Sequence, residues 1–425
     1  MKAENNYEKS VLENGLRVIT APMPATRSVA VMVMVAAGSR HEDRRLNGLS
    51  HFMEHMFFKG AKRYPDSMAV ASAIDSVGGA FNAFTSEERV GYYVKLSASK
   101  IRTAYDVLSD MMLNSKFDQD EIDRERGVIV EEIRMYNDDP MSRAQMDFKE
   151  LFYGDQPLGW DIAGPEEVIN KVTRADFIHY QDIFYTAANC ILVVAGGVTH
   201  EENMKLAREF FSFNSGGEKR KPLPFTKLPG KRSFLRNREI EQAHIVMGFP
   251  IPGDEDPAQP AIKILNNVMG GTMSSRLFHE VRERRGLAYY IRSGRSAYTD
   301  TGAIKISAGV NLAKVEDAIA VIMDEIRKAA RDGITREELE KGKENIKGRT
   351  DLSLEDSMSV ASLYASHEVL HGKVKTPDEY SAEIDAVTLE QVNAAAKKIL
   401  DEATVKLSVL GPFDDIGVFD KRLDA

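Results

Sequence analysis

The sequence predicts an α+β fold made of two homologous domains, each a mainly antiparallel sheet packed with helices. Short β-rich segments, such as 29–35, alternate with long amphipathic helical patterns, such as 120–137. Strand patterns that follow each other closely, at 81–84 and 90–96, suit antiparallel pairing better than a doubly wound sheet. The same order of patterns then recurs in the second half of the chain.

This recurrence indicates an internal duplication. Matching segments occur in the same order in both halves: 91–96 with 302–307, 120–123 with 337–340, and 172–173 with 387–388. A Ser-Gly-Gly turn followed by a basic, proline-bearing stretch separates the halves. We therefore expect an N-terminal domain over 1–215, a linker over 216–232 and a homologous C-terminal domain over 233–425.

Composition narrows the class of protein. A chain of 425 residues with 43% hydrophobic and 28% charged residues is a folded protein of more than one domain. Its net charge of −9 argues against a nucleic-acid partner, because such binding depends on neutralising phosphates. The single Cys190 favours a reducing compartment. The segment MKAENNYEKS lacks the apolar core of a signal peptide, and no apolar run reaches the length of a membrane span, so we expect a cytoplasmic protein without a membrane partner.

Two histidines four residues apart, in HFMEH at 51–55, form the first candidate metal site. On a helix His51 and His55 share a face, and Glu54 could hold a metal-bound water without binding the metal. Zinc prefers imidazole and carboxylate ligands, and a catalytic site keeps one position for water, so a third protein ligand is required. The alternative is an amphipathic helix whose histidines are only half buried.

A second candidate, HEVLH at 367–371, matches the commoner zincin pattern, with Glu390 as a third ligand. Its context favours a coincidence. Pro377 soon ends the helical pattern, and Glu390 falls in the first turn of another predicted helix, where a carboxylate favours the helix dipole. In the internal repeat this segment matches 149–154, an ordinary amphipathic helix end.

The first motif has a matching partner further along the chain. In ERGVIVEEI, at 125–133, Glu125 and Glu132 lie seven residues apart and hence on one helix face. The two segments together resemble the pitrilysin or insulinase-type metallopeptidases, the inverted zincins, whose pattern is H-x-x-E-H followed by a glutamate-bearing helix.

This resemblance covers essentially the whole chain. NAFT at 82–85, MSSRLF at 273–278 and RERRGLAYY at 282–290 are similar to further signatures of the family, and they stand in the family's order. In length and layout the chain most resembles the small bacterial members and the catalytic subunit of mitochondrial processing peptidase.

The resemblance implies a metal site and a base. Zn2+ would be held by His51, His55 and Glu132, with Glu54 as the base that takes a proton from the attacking water. The neighbouring Glu131 points about 100° away from Glu132 on a helix and is not expected to bind the metal.

Three further residues receive supporting roles from the resemblance. Glu125 would support the metal site from the same helix face, and Arg282 and Tyr289 would come from the second domain to the substrate carbonyl. The alternatives are a solvated helix glutamate at 125 and, for Arg282, one of several charges on a helix rich in them.

The segment Asn82, Ala83, Phe84 and Thr85 is the expected substrate-binding strand. It stands between a Gly-Gly pair and a charged turn, which suits an edge strand whose free N–H and C=O groups accept an extended peptide. Main-chain pairing is nearly blind to sequence, so broad specificity is expected. The alternative is a plain hairpin strand.

These expectations combine into a zinc-dependent endopeptidase that hydrolyses short or unfolded polypeptides held in an enclosed chamber. Larger relatives close four such domains around a chamber, whereas this chain has two, so a homodimer with two competent sites is expected. The alternative is a non-catalytic structural or assembly subunit of the same fold. Such members of the family generally lack some of the residues that correspond to His51, Glu54, His55 and Glu132.

Overall fold

A computed structural model describes residues 7–214, 217–226 and 230–424. Residues 1–6, at the N-terminal segment considered above, and residues 216 and 227–229 of the expected linker lie outside the described residues.

The first sheet has its strands in the spatial order β1-β2-β6-β3-β5-β4, so β4 forms one edge. In chain order these strands are β1 (Glu8–Val11), β2 (Arg17–Pro22), β3 (Ser28–Val35), β4 (Ala80–Thr85), β5 (Val90–Ser97) and β6 (Cys190–Gly196). Strands β2 and β6 pair in parallel, and the other neighbours pair antiparallel.

The second sheet repeats this topology. Its strands are β7 (Ser233–Asn237), β8 (Gln242–Pro252), β9 (Ala288–Ala297), β10 (Thr301–Asn311) and β11 (Lys406–Gly411). Their spatial order, β7-β11-β8-β10-β9, matches β2-β6-β3-β5-β4 strand for strand, and the parallel pair β7 and β11 corresponds to β2 and β6. The predicted α+β fold of two homologous, mainly antiparallel halves is therefore confirmed.

The helices of the described residues complete each half. In chain order they are α1 (Leu49–Phe57), α2 (Ser67–Asp75), α3 (Ile101–Leu113), α4 (Gln119–Asp138), α5 (Pro140–Tyr153), α6 (Glu166–Ile169), α7 (Arg174–Phe184), α8 (His200–Phe210), α9 (Gln259–Asn266), α10 (Val315–Asp332), α11 (Arg336–Ser353), α12 (Ser357–His371), α13 (Pro377–Asp385), α14 (Leu389–Ile399) and α15 (Gly417–Asp424). Short π-helical segments occupy Asn267–Gly271 and Phe278–Glu283.

Local sequence explains where the repeated helices α7 and α14 begin. Thr173 and Thr388 cap their N-termini, and each forms a reciprocal capping box with the side chain three residues later, Asp176 or Gln391. The two caps confirm the helix starts expected from the repeat at 172–173 and 387–388.

Two compact units divide the chain, and neither is contiguous in sequence. The first consists of Met1–Arg134, Trp160–Leu223 and Asp351–Glu379, and the second of the remaining three segments. The change of unit between Leu223 and Pro224 falls inside the expected linker at 216–232. Two helices are exchanged between the sequence halves: α5 belongs to the second unit and α12 to the first.

In the first unit both faces of the sheet are covered. Alternate residues of β3 point to opposite faces, so Val31 and Val33 pack in the core with α1, α3 and α4, whereas Met32 and Met34 pack against α12. Burial on both faces explains why the segment SVAVMVMV is almost entirely apolar.

The second unit is built in the same way. One face of its sheet packs on α9, α10 and α14, and the opposite face contacts α5, where Phe148 lies against Val246 and Leu410. Helix α5 therefore covers one face of the second sheet as α12 covers one face of the first.

None of the helices in the described residues combines the length and apolar character needed to cross a bilayer.

Candidate metal centre

The N-cap of helix α1 is Gly48, and any other residue at this position would strain the backbone. Gly48 has a φ of 99°, a left-handed conformation that favours glycine. The carbonyl oxygen of Ala163 and the side chain of Ile169 occupy the space in which a Cβ atom would lie. The chain therefore enters the helix in one fixed direction.

One face of α1 is buried in the core, and this burial fixes the direction in which the opposite face points. Leu49, Phe52, Met53, Met56 and Phe57 are buried at the spacing of a helix face. The rings of Phe52 and Phe57 pack edge-on against aromatic residues of the core. The remaining face carries the half-buried residues of HFMEH: His51, Glu54 and His55.

Helix α4 supplies the carboxylates that face this motif. Ile122 and Ile129 lie on its buried stripe, and Glu125 shares that stripe and is only 4% exposed. Glu132, two turns further on, is half buried near the histidines. Its neighbour Glu131 is exposed and forms an ion pair with Arg134 at 2.7 Å, so the expected difference between the two glutamates is present in the structure.

His51, His55 and Glu132 come together as a cluster of three possible metal ligands. Glu132 Oε2 lies 3.7 Å from His51 Nε2 and 3.6 Å from His55 Nε2, and the three ligand atoms lie within 4.8 Å of one another. Two atoms bound at about 2.1 Å to one tetrahedral ion are separated by about 3.4 Å. The three side chains therefore fit a single zinc-sized ion with little movement.

The carboxylate of Glu125 holds His55 from behind. Glu125 Oε1 lies 2.9 Å from His55 Nδ1, and Oε2 lies 2.5 Å from the ammonium nitrogen of Lys59. Burial raises the pKa of Glu125, but the hydrogen bonds with His55 and Lys59 outweigh it and lower that pKa below its usual value. An ionised Glu125 accepts the Nδ1 proton, which leaves Nε2 of His55 turned toward Glu132.

The electrostatics of the cluster favour a cation. Burial lowers the pKa of His55, but hydrogen bonding and attraction to Glu125, together with Glu132 and Glu54, outweigh burial and raise it. Burial followed by repulsion from His55 lowers the pKa of His51 to about 4, so this imidazole is neutral near pH 7. Lys59 already pairs with Glu125, but Glu132 and Glu54 add two carboxylates beside one neutral and one basic imidazole, and a divalent ion would supply the positive charge that they attract.

Glu54 projects beside the cluster and is held by the end of strand β4. The hydroxyl of Thr85 donates to Glu54 Oε2 at 2.6 Å. Burial raises the pKa of Glu54, and the Thr85 hydrogen bond and His55 partly oppose that rise. A carboxylate with a raised pKa is a better proton acceptor, as a general base requires.

The expected substrate strand lies at the edge of the first sheet. Asn82, Ala83, Phe84 and Thr85 belong to β4, which has β5 on one side and ends the strand order on the other. The N–H of Ala83 donates to Oδ1 of the exposed Asn82 side chain at 2.9 Å. The Thr85 hydroxyl joins this edge to Glu54, so the expected substrate strand lies beside the expected base.

Arg282 and Tyr289 lie in the second unit. Arg282 is in the π-helical segment, where its guanidinium lies 4.8 Å from the ring centre of Phe278 and 3.9 Å from a carboxylate oxygen of Glu283. Tyr289 is on the edge strand β9 and is 74% exposed. Their roles stay predictions.

The HEVLH segment has a different setting. His367 Nδ1 accepts the backbone N–H of Lys375 at 3.3 Å, beyond the end of α12. Glu368 is buried and pairs with Lys9 at 2.7 Å and Arg17 at 3.2 Å. Glu390 lies in the first turn of α14, which belongs to the other unit. Within the described parts of the chain, His51, His55 and Glu132 form the one ligand cluster of three.

Sequence reasoning missed Lys59 and Glu42. Lys59 lies four residues after His55, beyond the end of α1, and pairs with Glu125. Glu42 accepts backbone hydrogen bonds at the start of α1. The missing signal for Glu42 was available in principle, because a helix that begins at Gly48 has no side chain of its own at the N-cap.

Two family models together match most of the chain. Residues 17–166 match the family described as insulinase (peptidase family M16), and residues 171–346 match the peptidase M16 inactive domain. The first match contains the metal cluster, and the second contains Arg282 and Tyr289.

Whole-length relatives agree with these matches. An uncharacterized zinc protease of Bacillus subtilis is 38% identical, over 92% of this chain and 95% of the relative. Another from Mycobacterium leprae is 36% identical over 95% and 92%. The crystal structure of a protease from Helicobacter pylori superimposes with a TM-score of 0.90 at 25% identity, covering 96% of this chain and 99% of that one. The chain therefore belongs to peptidase family M16, the pitrilysin or insulinase-type peptidases.

Proposed function

We propose that this chain is a zinc-dependent endopeptidase that hydrolyses peptide bonds of short or unfolded polypeptides. The observation that carries the proposal is the convergence of His51, His55 and Glu132 on one point, with Glu54 beside them. The description of the relatives from Bacillus subtilis and Mycobacterium leprae as zinc proteases supports zinc as the ion.

His51, His55 and Glu132 would hold the ion through two imidazole nitrogens and one carboxylate oxygen, a ligand set that zinc accepts. When bound, zinc supplies a Lewis acid that polarises the peptide carbonyl and acidifies a water molecule. Glu125, supported by Lys59, would keep the Nδ1 proton on His55 and so fix which ring nitrogen faces the ion.

Glu54 is the proposed general base. Its carboxylate accepts a proton from the water as the water oxygen bonds to the carbonyl carbon, and it then delivers that proton to the nitrogen of the leaving amine as the C–N bond breaks. Thr85 holds Oε2 of this carboxylate at 2.6 Å, which leaves the second oxygen to face the water.

The substrate is proposed to add to the edge of β4 as an extended strand. Backbone groups of Asn82, Ala83, Phe84 and Thr85 would pair with the peptide main chain, and such pairing would accept many sequences but only unfolded segments. Because Thr85 bonds to Glu54, a peptide paired with β4 would run close to the proposed base.

Arg282 and Tyr289 are proposed to stabilise the oxyanion that develops on the carbonyl. The support comes from the family signature RERRGLAYY and from the exposure of the Tyr289 side chain. Both residues stand in the same polypeptide as the metal cluster, so each chain carries a full set of candidate residues.

An enclosed chamber in a homodimer completes the proposal. Two copies of a two-domain chain would supply the four domains that larger relatives join in one chain. Light scattering coupled to size exclusion tests this assembly, with a dimer mass expected and a monomer mass contradicting it. The cytoplasm is the proposed compartment, because the single Cys190 is a buried free thiol that needs no disulfide partner.

Chelation and metal restoration test the proposed function. Purified protein should contain about one zinc per chain, and a quenched fluorescent peptide should be cleaved before chelation, not after it, and again when zinc returns. Cleavage that survives chelation, or no cleavage of unstructured peptides by zinc-loaded protein, would overturn the proposal. The second result would favour a structural subunit, which the match of residues 171–346 to an inactive domain keeps as the alternative.

A further inference from the structure

A buried carboxylate, that of Glu42, accepts hydrogen bonds from the first residues of helix α1. Glu42 is 2% exposed. Its Oε1 accepts the N–H of Ser50 at 2.6 Å and the Ser50 hydroxyl at 2.5 Å, and its Oε2 accepts the N–H of Gly48 at 2.8 Å and the side-chain amide of Asn47 at 3.3 Å. Four donors thus converge on one side chain.

This arrangement replaces an ordinary helix cap. The first N–H groups of a helix lack partners inside the helix and carry partial positive charge. Gly48 offers no side chain to satisfy them, so Glu42, six residues earlier in the chain, supplies the acceptor oxygens. A buried carboxylate that satisfies four donors holds them in one geometry, because each unmade bond would be costly.

A second element anchors the same hydroxyl. The Ser50 Oγ atom also lies 2.8 Å from the Tyr180 hydroxyl, which belongs to helix α7. Glu42 and Tyr180 therefore hold Ser50, the residue immediately before His51, from two sides. Rotation of α1 about its axis would break both contacts.

The short segment that carries Glu42 also holds the turn after the substrate strand. Arg40 Nη1 pairs with Glu88 Oε1 at 2.7 Å, and both side chains are buried. The N–H of Arg40 donates to the carbonyl of Glu87 at 2.8 Å. Thr85 precedes this turn and bonds to Glu54, so a closed ring of contacts joins the start of α1, residues 40–42, the β4–β5 turn and Glu54.

We propose that Glu42 is a positioning residue for the metal site: it fixes the start and rotation of α1, so that His51 and His55 face Glu132 while Glu54 faces Thr85. This inference rests on the proposed function. Successive helical residues are separated by about 100°, so a small rotation of α1 displaces both imidazoles in the same sense and opens the ligand cluster.

Glu42→Gln tests the proposal, because it keeps the shape but turns one acceptor into a donor that faces N–H groups of α1. Asp110→Asn is the matched control. Asp110 is also fully buried, and its Oδ2 accepts the backbone N–H groups of Arg63 at 2.6 Å and Tyr64 at 3.1 Å, in a loop outside α1. Both variants should lose thermal stability.

The readouts that separate positioning from stability are zinc affinity, measured by competition with a chromophoric chelator, and kcat and KM on folded protein. We expect Glu42→Gln to bind zinc about tenfold more weakly and to lose kcat by a similar factor with KM little changed, as for groups that orient metal ligands. Asp110→Asn should keep the zinc affinity of the unmodified protein.

Equal zinc affinity and kcat in the two variants would overturn the proposal and leave Glu42 a structural cap. If Glu42→Gln does not fold, Ser50→Ala decides by the same readouts, since it removes one hydrogen bond to Glu42 and the link to Tyr180. Failure of the unmodified protein to bind zinc would instead overturn the proposed function, because the affinity assay does not depend on catalysis.

Discussion

His55 Nδ1 lies 2.9 Å from Glu125 Oε1, and the second oxygen of that buried carboxylate lies 2.5 Å from Lys59. The contact between His55 and Glu125 connects helices α1 and α4 through a hydrogen bond at Nδ1, the ring nitrogen that does not face Glu132. It sets the tautomer of His55, and it distinguishes Glu125 from a solvated helix glutamate, since only 4% of the residue is exposed.

Glu125→Gln should weaken zinc binding by about 10- to 100-fold, because the neutral amide holds the Nδ1 proton of His55 less firmly. Competition with a chelator measures the affinity. Glu131→Gln, on the exposed side of the same helix, is the control and should bind zinc normally. Equal affinities for both variants would assign Glu125 a purely structural role.

Glu54→Gln should lower kcat by about 10²- to 10⁴-fold, the usual contribution of a general base, because an amide cannot accept the proton of the attacking water. Zinc content should stay near one per chain, since Glu54 is not one of the three ligands. A fluorogenic peptide assay and elemental analysis give the two numbers. A variant with the full rate would exclude Glu54 as the base.

His55→Ala should abolish both zinc retention and peptidase activity, whereas His371→Ala should preserve them. The two histidines hold the same place in the competing motifs, and only His55 belongs to a cluster of three ligands in the described residues. The reverse pattern, with activity lost in His371→Ala alone, would move the site to α12.

Ala83→Pro should raise KM for unstructured peptides by about two- to tenfold, the value of one lost hydrogen bond, and leave kcat nearly unchanged. Proline removes the Ala83 N–H, which a bound peptide would take over from the exposed Asn82 side chain. An edge strand tolerates proline. Circular dichroism confirms that the fold is kept. An unchanged KM would argue that peptides do not pair with β4 at this position.

The stability of the protein should depend on His41 between pH 7 and pH 5. Burial, followed by repulsion from Arg40, lowers the pKa of His41 from 6.5 to about 4, so in this window the unfolded chain binds a proton that the folded chain does not. The free energy of unfolding therefore falls as the pH drops, by about 2 kcal/mol from this residue between pH 7 and pH 5.

Urea unfolding at the two pH values measures that loss. His41→Leu should reduce the pH-dependent loss by about 2 kcal/mol, because leucine does not titrate, while the contributions of the carboxylates stay the same in both proteins. An identical loss in the variant would show that His41 has the same pKa in the folded and unfolded states and would contradict the prediction.

Local patterns predicted most elements of the fold. The apolar run at 29–35 and the helical pattern at 120–137 correspond to β3 and α4 within one residue at each end. The edge position of β4 followed from the glycines before it and the charged turn after it. These features depend on periodicity and turn chemistry, which neighbouring residues determine.

The exchange of α5 and α12 was not predictable in the same way. An amphipathic pattern shows that a helix buries one face, but Phe148 carries no information about which sheet receives it. The same limit applies to Lys59, whose partner is set by tertiary packing. A glycine at the N-cap of α1 indicates that an acceptor from elsewhere is needed, but it does not identify Glu42 as that acceptor. The pair His51 and His55 was easier to identify because metal chemistry restricts both residue type and spacing, whereas Glu132 was expected from the family resemblance.

Anomalous diffraction at the zinc absorption edge, from crystals of the unmodified protein grown with zinc, would locate the metal itself. We expect one strong peak at about 2.1 Å from His51 Nε2, His55 Nε2 and an oxygen of Glu132. A zinc-loaded crystal with no peak at that point, or with its peak beside His367 and His371, would contradict that expectation.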